Sequence, residues 1–420
     1  MWRTRAVAVV AVALLAAACS SGGGETAAAP AATSTTSPPP STAPPTTSPP
    51  LSTAPPTTAP RPSAAPPTTV PATSTPSTTT TVAPPTTIAE PVAETDIEVL
   101  AAYVEQRSGL TFDEPPEIAF GTVASDELDI DPGLFVDERL WNLFVPLGLV
   151  GPDDDRIAAG QARLDQVRGV CCPVVLFETD DHPLLTSVVV VHELTHLLDR
   201  QRPLDRRIDT DEDVRFDSIV LEGNAQRVAF DYRDELVAAG ALPSRFVFDW
   251  AEPRIPDAVL QVLELPYEEG ATLSEQLYER GGLPLVEQAF VRPPTTTEQV
   301  LDVDAYLDDE QPVEVQLPEP VGVEVTATGT MGAFVLRLLV EQVLDDAAAH
   351  DLVTAWGGDR YALFEQGGRP CVVGTVVMDD GGSATDLRDA LRGVGVGATI
   401  DAETPTAVTV RRCAVPAPVV

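Results

Sequence analysis

An α+β fold is predicted, mainly helical with a small sheet, and three features of the sequence predict it. Helical apolar spacing marks residues 97–106, the stretch from Val188 to Asp199, and residues 214–239. Short apolar runs within 164–178 suit strands, with Val174 to Phe177 a candidate edge strand. A hairpin turning at Gly367-Gly368 inside Tyr361–Met378, then a helix near Ala384–Leu391, gives the C-terminal segment its own α+β character. Gly329-Thr330-Met331-Gly332 opens a further helix expected to run to about Ala349, and Trp356-Gly357-Gly358-Asp359 reads as a structural turn.

Only part of the 420 residues is expected to fold. Residues 1–18 read as an export signal: Arg3 and Arg5 precede an apolar run from Ala6 to Ala18, too short for the roughly 20 residues that span a bilayer. Leu15-Ala16-Ala17-Ala18-Cys19 resembles a bacterial lipobox, with Ala16 where Leu is usual. The resemblance implies that Cys19 is lipidated, becomes the mature N-terminus and anchors the protein outside the cell membrane. Ordinary signal cleavage is the alternative. Residues 19–95 then form a Pro/Thr/Ser-rich linker with too few apolar side chains to offset its ordering entropy. In extended polyproline II, at ~3.1 Å per residue, it would reach on the order of 200 Å, and its Thr and Ser could carry O-linked sugars. The remainder divides into a core at 96–300 and a C-terminal α+β segment at 301–420 packed on it.

The formal net charge is -38, and every fixed cation is Arg, since the chain has no Lys. Such acidity excludes nucleic acid as a partner, because phosphate recognition needs a basic footprint. It also opposes adsorption to anionic headgroups, leaving the lipid anchor as the membrane contact. Composition leaves the oligomeric state open.

Five cysteines occur. With Cys19 lipidated, Cys171, Cys172, Cys371 and Cys413 remain, an even number suited to an oxidising compartment. Of the three connectivities, Cys371–Cys413 is favoured because it staples the C-terminal segment. Cys171 and Cys172 are adjacent, so a bridge between them would be strained, and a bridge, free thiols and pairing elsewhere all stay open for them.

Two of the four histidines stand in His192-Glu193-Leu194-Thr195-His196. On a helix, residues four apart share a face, so both imidazoles can bind one Zn2+ from the same side. Glu193 projects near that face and can take a proton from a metal-activated water. A catalytic zinc needs three protein ligands and an open position. No third His follows at metzincin spacing, and the strongest downstream candidate is Glu222, in Leu221-Glu222-Gly223-Asn224-Ala225. Its helix carries apolar Ile219, Val220, Val228 and Ala229, so the carboxylate would be buried and would need a partner. The small Gly223 and Ala225 would let this helix pack close to the one bearing the histidines. Tyr232 and His350 are possible donors to an oxyanion, although core and surface roles suit them better. His182 lies in a loop-like stretch.

These motifs resemble the gluzincin branch of zinc metallopeptidases, and more closely a group of uncharacterised bacterial and archaeal secreted proteins. That group joins a His-Glu-Leu-Thr-His helix to a Glu-Gly-x-Ala helix. Leu277-Tyr278-Glu279-Arg280-Gly281-Gly282, Pro293 to Leu301 and Trp356 to Tyr361 are similar to its further segments, so the likeness covers roughly residues 100–395. It implies a zincin-like core, with His192, His196 and Glu222 as zinc ligands and Glu193 as catalytic base. Two positions depart from the group's pattern. The acidic residue after the second His is shifted by one place to Asp199, a candidate for orienting a ligand imidazole. Asn224 replaces an acidic residue. The expected activity is hydrolysis of a peptide or protein substrate by an exported, lipid-anchored enzyme. A zincin-like envelope lipoprotein that keeps the metal without turnover is the second reading.

Overall fold

The computed structural model describes residues 94–121, 131–151, 153–167, 169–171, 174–177, 183–204, 212, 214–243, 255–317, 320, 322–400 and 404–414. The export signal, Cys19, the linker as far as residue 93, Cys172 and His182 lie outside the described residues, and α1 takes in the linker's last two expected residues.

In chain order the first elements are α1 (Glu94–Ser108), β1 (Ile118–Gly121), α2 (Glu138–Leu147), α3 (Arg156–Leu164), β2 (Gly169–Val170), β3 (Val174–Phe177), α4 (Pro183–Asp199) and α5 (Phe216–Ala238). Four helices follow: α6 (Asp257–Gly281), α7 (Leu283–Val291), α8 (Thr297–Leu301) and α9 (Val303–Leu307). The C-terminal part holds β4 (Val325–Gly329), α10 (Gly332–Val340), α11 (Asp346–Val353), β5 (Trp356–Gln366), β6 (Arg369–Met378), α12 (Gly381–Gly393), β7 (Gly397–Ile400) and β8 (Ala407–Cys413). The architecture is α+β. The acidic composition has a local use here: Asp137, Asp155, Asp302, Asp345 and Asp380 each cap a helix N-terminus through a side-chain oxygen.

A small three-stranded sheet runs β1-β3-β2, with β1 parallel and β2 antiparallel to β3. This corrects the expectation that Val174–Phe177 is an edge: β3 is central, with its main-chain groups shared between two neighbours. The outer strands are β1 and β2. The second sheet is five-stranded and antiparallel, in the order β4-β5-β6-β8-β7. Its central hairpin, β5 to β6, turns at Gly367 and Gly368, both at positive φ (60° and 71°), where a side chain would be strained. Cys371 and Cys413 face each other across β6 and β8 and are disulfide-bonded. Cys171 is also in a disulfide, with a partner outside the described residues, so it is not a free thiol.

The single helix expected from Gly329 to Ala349 is two helices. Asp345 accepts the amide of Ala348 at 3.0 Å, and a residue that caps in this way starts a new helix and does not continue the old one. Trp356-Gly357-Gly358-Asp359 begins β5 through a bulge and is not a free turn. Buried Asp359 accepts from the amides of Met331 (2.8 Å) and Gly332 (2.9 Å) and from the Trp356 indole (3.0 Å), tying the start of α10 to the sheet. Burial pushes its carboxyl up to about 6, against the pull of those donors.

One hydrophobic cluster runs from Phe135 on the approach to α2, through Leu263 on α6 and Leu336 on α10, to Val410 on β8. The N-terminal core and the C-terminal segment therefore share their interior. A second cluster surrounds α4, where Val188, Val190, Val191, Leu194 and Leu198 are fully buried against α1 and α5. A helix apolar on every side is a core helix, so burial overrides the strand preference of four consecutive valines.

The small residues of α5 also serve a contact that the sequence reading did not anticipate. Gly223 on α5 does meet a neighbour at very short range, but the neighbour is Gly270 on α6. A Cβ at Gly223 would sit 2.3 Å from the Gly270 carbonyl, and one at Gly270 would sit 2.7 Å from the Ile219 carbonyl. Neither main chain can give way cheaply. Gly223→Ala is therefore expected to destabilise the protein at or beyond the upper end of the usual ~1–3 kcal/mol for overpacking, read as a lower denaturation midpoint.

Candidate metal centre

Residues four apart on α4 place both imidazoles on one face, and α5 crosses that face with Glu222. The His192 Nε2–Glu222 Oε2 distance is 3.3 Å, and the His196 Nε2–Glu222 Oε2 distance is 3.1 Å. The three side chains form a group able to hold a metal ion. Two ligands at ~2.0–2.1 Å in a tetrahedral site stand about 3.3 Å apart, so the spacing already suits that geometry. His192 and Glu222 are buried, and the His196 side chain keeps 12% of its surface, so access to the centre is from the His196 side.

Glu193 is fully buried, and neither of its carboxylate oxygens has a hydrogen-bond partner among the described residues. An orphaned buried carboxylate is costly unless something else uses it. Burial raises its pKa to about 8; His196 opposes the rise and Glu222 adds to it. Burial, then the charge on His196, lowers His192 to about 4. Burial also works against charge on His196 and Glu222, but each holds the other charged, so His196 moves up and Glu222 down.

Two supporting residues escaped the sequence reading. Tyr267, on α6, stacks on His192 with ring centroids 6.2 Å apart, and the Arg163 guanidinium lies over the tyrosine ring, 5.5 Å from its centroid. Arg163 is itself held by a buried 2.8 Å ion pair to Glu264. Gln226 stands one helical turn after Glu222, and its influence raises the basicity of His192. His192 Nδ1 and Gln226 Oε1 are both buried without a hydrogen bond among the described residues. Pairing of the two, with Nδ1–H donating to the amide oxygen, would fix the tautomer that presents Nε2 to a metal. The i+4 spacing from Glu222 was the signal for Gln226; nothing in the sequence ties Tyr267 to His192.

Asp199 does not hydrogen-bond a ligand imidazole among the described residues, contrary to the expected orienting role. Its oxygens are occupied by Arg202 Nε at 2.9 Å and Asn224 Nδ2 at 2.7 Å, and it reaches His196 only through its charge. Arg202 continues to the carbonyl of Ser108 at 2.7 Å and to Glu287 at 3.0 Å, while Asn224 accepts from Arg227 at 3.0 Å. Asp199 therefore clamps α4 to α5 and to the end of α1. An acidic residue in place of Asn224 would set a second carboxylate against Asp199, which accounts for the amide. Asn224→Ala should cost about 1–3 kcal/mol, because it removes the partner of both Asp199 Oδ2 and Arg227 Nη2; chemical denaturation measures it.

Tyr232 packs edge-on to Tyr103, with centroids 5.1 Å apart in the core around α4, and His350 lies on α11; neither belongs to the metal-binding group. Among the described residues no helix is long and apolar enough to cross a membrane. Comparison of the chain with protein-family models, with curated proteins and with solved structures finds no match.

Proposed function

We propose that the protein is a zinc metallopeptidase. The observation that carries this reading is the convergence of two imidazoles and one carboxylate beside a buried carboxylate that has no other partner. The donor set suits Zn2+: two neutral nitrogens and one anionic oxygen, with a single protein carboxylate ligand and no thiolate. A binding site alone has no need of Glu193, since burying an unpaired carboxylate weakens the fold without adding a ligand.

His192, His196 and Glu222 would hold the metal, whose chemistry when bound is to acidify a water and polarise a carbonyl. Glu193 takes the proton from the attacking water. Buried beside the centre with both oxygens unpaired among the described residues, the same carboxyl can then hand the proton to the departing amine. Tyr267 and the Arg163–Glu264 pair hold the His192 ring in place. The peptide approaches from the His196 side, the exposed flank of the centre. The lipobox-like N-terminus and the Pro/Thr-rich linker support placing this activity outside the membrane, at the end of a tether.

The test is to load the purified protein with one equivalent of zinc and incubate it with a mixed peptide library, reading new termini by mass spectrometry. Zinc-dependent cleavage is expected. One tightly bound zinc with no cleavage would instead favour a metal-holding lipoprotein without turnover.

A further inference from the structure

We propose that Glu298, Glu310 and Asp379 form a second metal site, for a hard divalent cation of the calcium type held entirely by oxygen. One carboxylate oxygen from each lies within 4.8 Å of the others. The carriers come from three parts of the chain: Glu298 from α8, Glu310 from the segment after α9, and Asp379 from the end of β6.

The decisive residue is Glu298. It is 3% exposed, and among the described residues no hydrogen bond or ion pair reaches its carboxylate. The largest charges acting on it belong to Glu310, Asp379, Asp302 and Glu212, all of one sign. Burial, followed by these neighbours, pushes its pKa to about 9. A carboxylate on a buried side chain that faces other carboxylates lacks, among the described residues, the oppositely charged partner that buried charges otherwise have. The chain supplies such partners elsewhere: Arg163 meets Glu264, Arg202 meets Asp199, and Arg337 meets Glu269.

The cradle is fixed by the main chain. Gln299 Nε2 donates to the Glu310 carbonyl at 2.7 Å, while Gln299 Oε1 accepts the Thr295 amide at 2.8 Å, holding the Glu310 segment against α8. The Asp379 amide donates to the Ala355 carbonyl at 3.0 Å, and Asp380 beside it caps α12. Glu310 and Asp379 are exposed, so a cation can enter and keep waters on its outer side. All-oxygen donors with open water positions suit a calcium-type ion and not zinc, which prefers the imidazoles of the other centre. Bound there, the ion would join α8 to the C-terminal sheet.

The experiment takes the purified protein, strips its metal, restores one equivalent of zinc, and follows thermal unfolding as Ca2+ or Mg2+ is added. Wild type should gain roughly 5 °C in Tm at about a hundredfold excess over Kd, with Ca2+ acting at lower concentration than Mg2+. Glu298→Gln keeps size and removes charge; it should fold, match or exceed wild-type Tm without added cation, and lose the Ca2+ shift. Asp379→Asn, on the surface, should weaken the apparent affinity at least severalfold. No shift in wild type, an equal shift in Glu298→Gln, or a stronger response to Mg2+ would overturn the proposal; an equal shift would mean diffuse binding to an acidic surface. None of these outcomes depends on the protein being a peptidase.

Discussion

Glu193→Gln is expected to lower zinc-dependent peptide hydrolysis by about 10²–10⁴-fold, the usual worth of a positioned acid–base group, while zinc content stays at the wild-type level. Gln has the size of Glu, so the packing of α4 is kept, but it cannot accept the water's proton. It also removes the charge that burial opposes, so the variant should be at least as stable as wild type. Falling activity with unchanged or rising Tm is the signature of a group kept for chemistry at the expense of stability. Falling Tm would assign Glu193 to the fold, and unchanged hydrolysis would remove it from the reaction.

Glu222→Ala should weaken zinc binding by well over the ~10–100-fold typical of residues that merely support a ligand. Two imidazoles remain, and the 3.1 and 3.3 Å contacts that hold their ring nitrogens toward one point are gone. Metal content by elemental analysis, with a competing chelator to set the affinity scale, gives the measurement. Retention of zinc at wild-type affinity would move the third ligand away from Glu222.

The centre was legible because its main parts follow helical period: four residues from His192 to His196, and a carboxylate on an otherwise apolar face of α5. Local rules also gave the hairpin at Gly367-Gly368 and the helix α12. What stayed hidden depends on contacts distant in sequence. Tyr267 reaches His192 only because α6 crosses α5 at two glycines. The partners of Asp199 lie on α4 itself, on α5 and at the end of α1. The carboxylates of Glu298, Glu310 and Asp379 are unremarkable in an acidic chain until three elements bring them together. The central place of β3 was missed because parallel pairing with β1 bridges more than fifty residues and leaves no local mark.

The contact between Gly223 and Gly270 reaches beyond packing. Glu222 stands next to that contact on α5, and Tyr267, which stacks on His192, stands three residues before it on α6, so the contact fixes the helix that carries a ligand against the helix that backs one, much as the jaw of a caliper is set by a stop. Side chains can swing to accommodate ions of different radius, whereas touching backbones cannot close further. The alignment of Glu222 with the ring behind His192 is thus written into two residues that have no side chain at all, and a methyl group added at either one would disturb that alignment along with the packing.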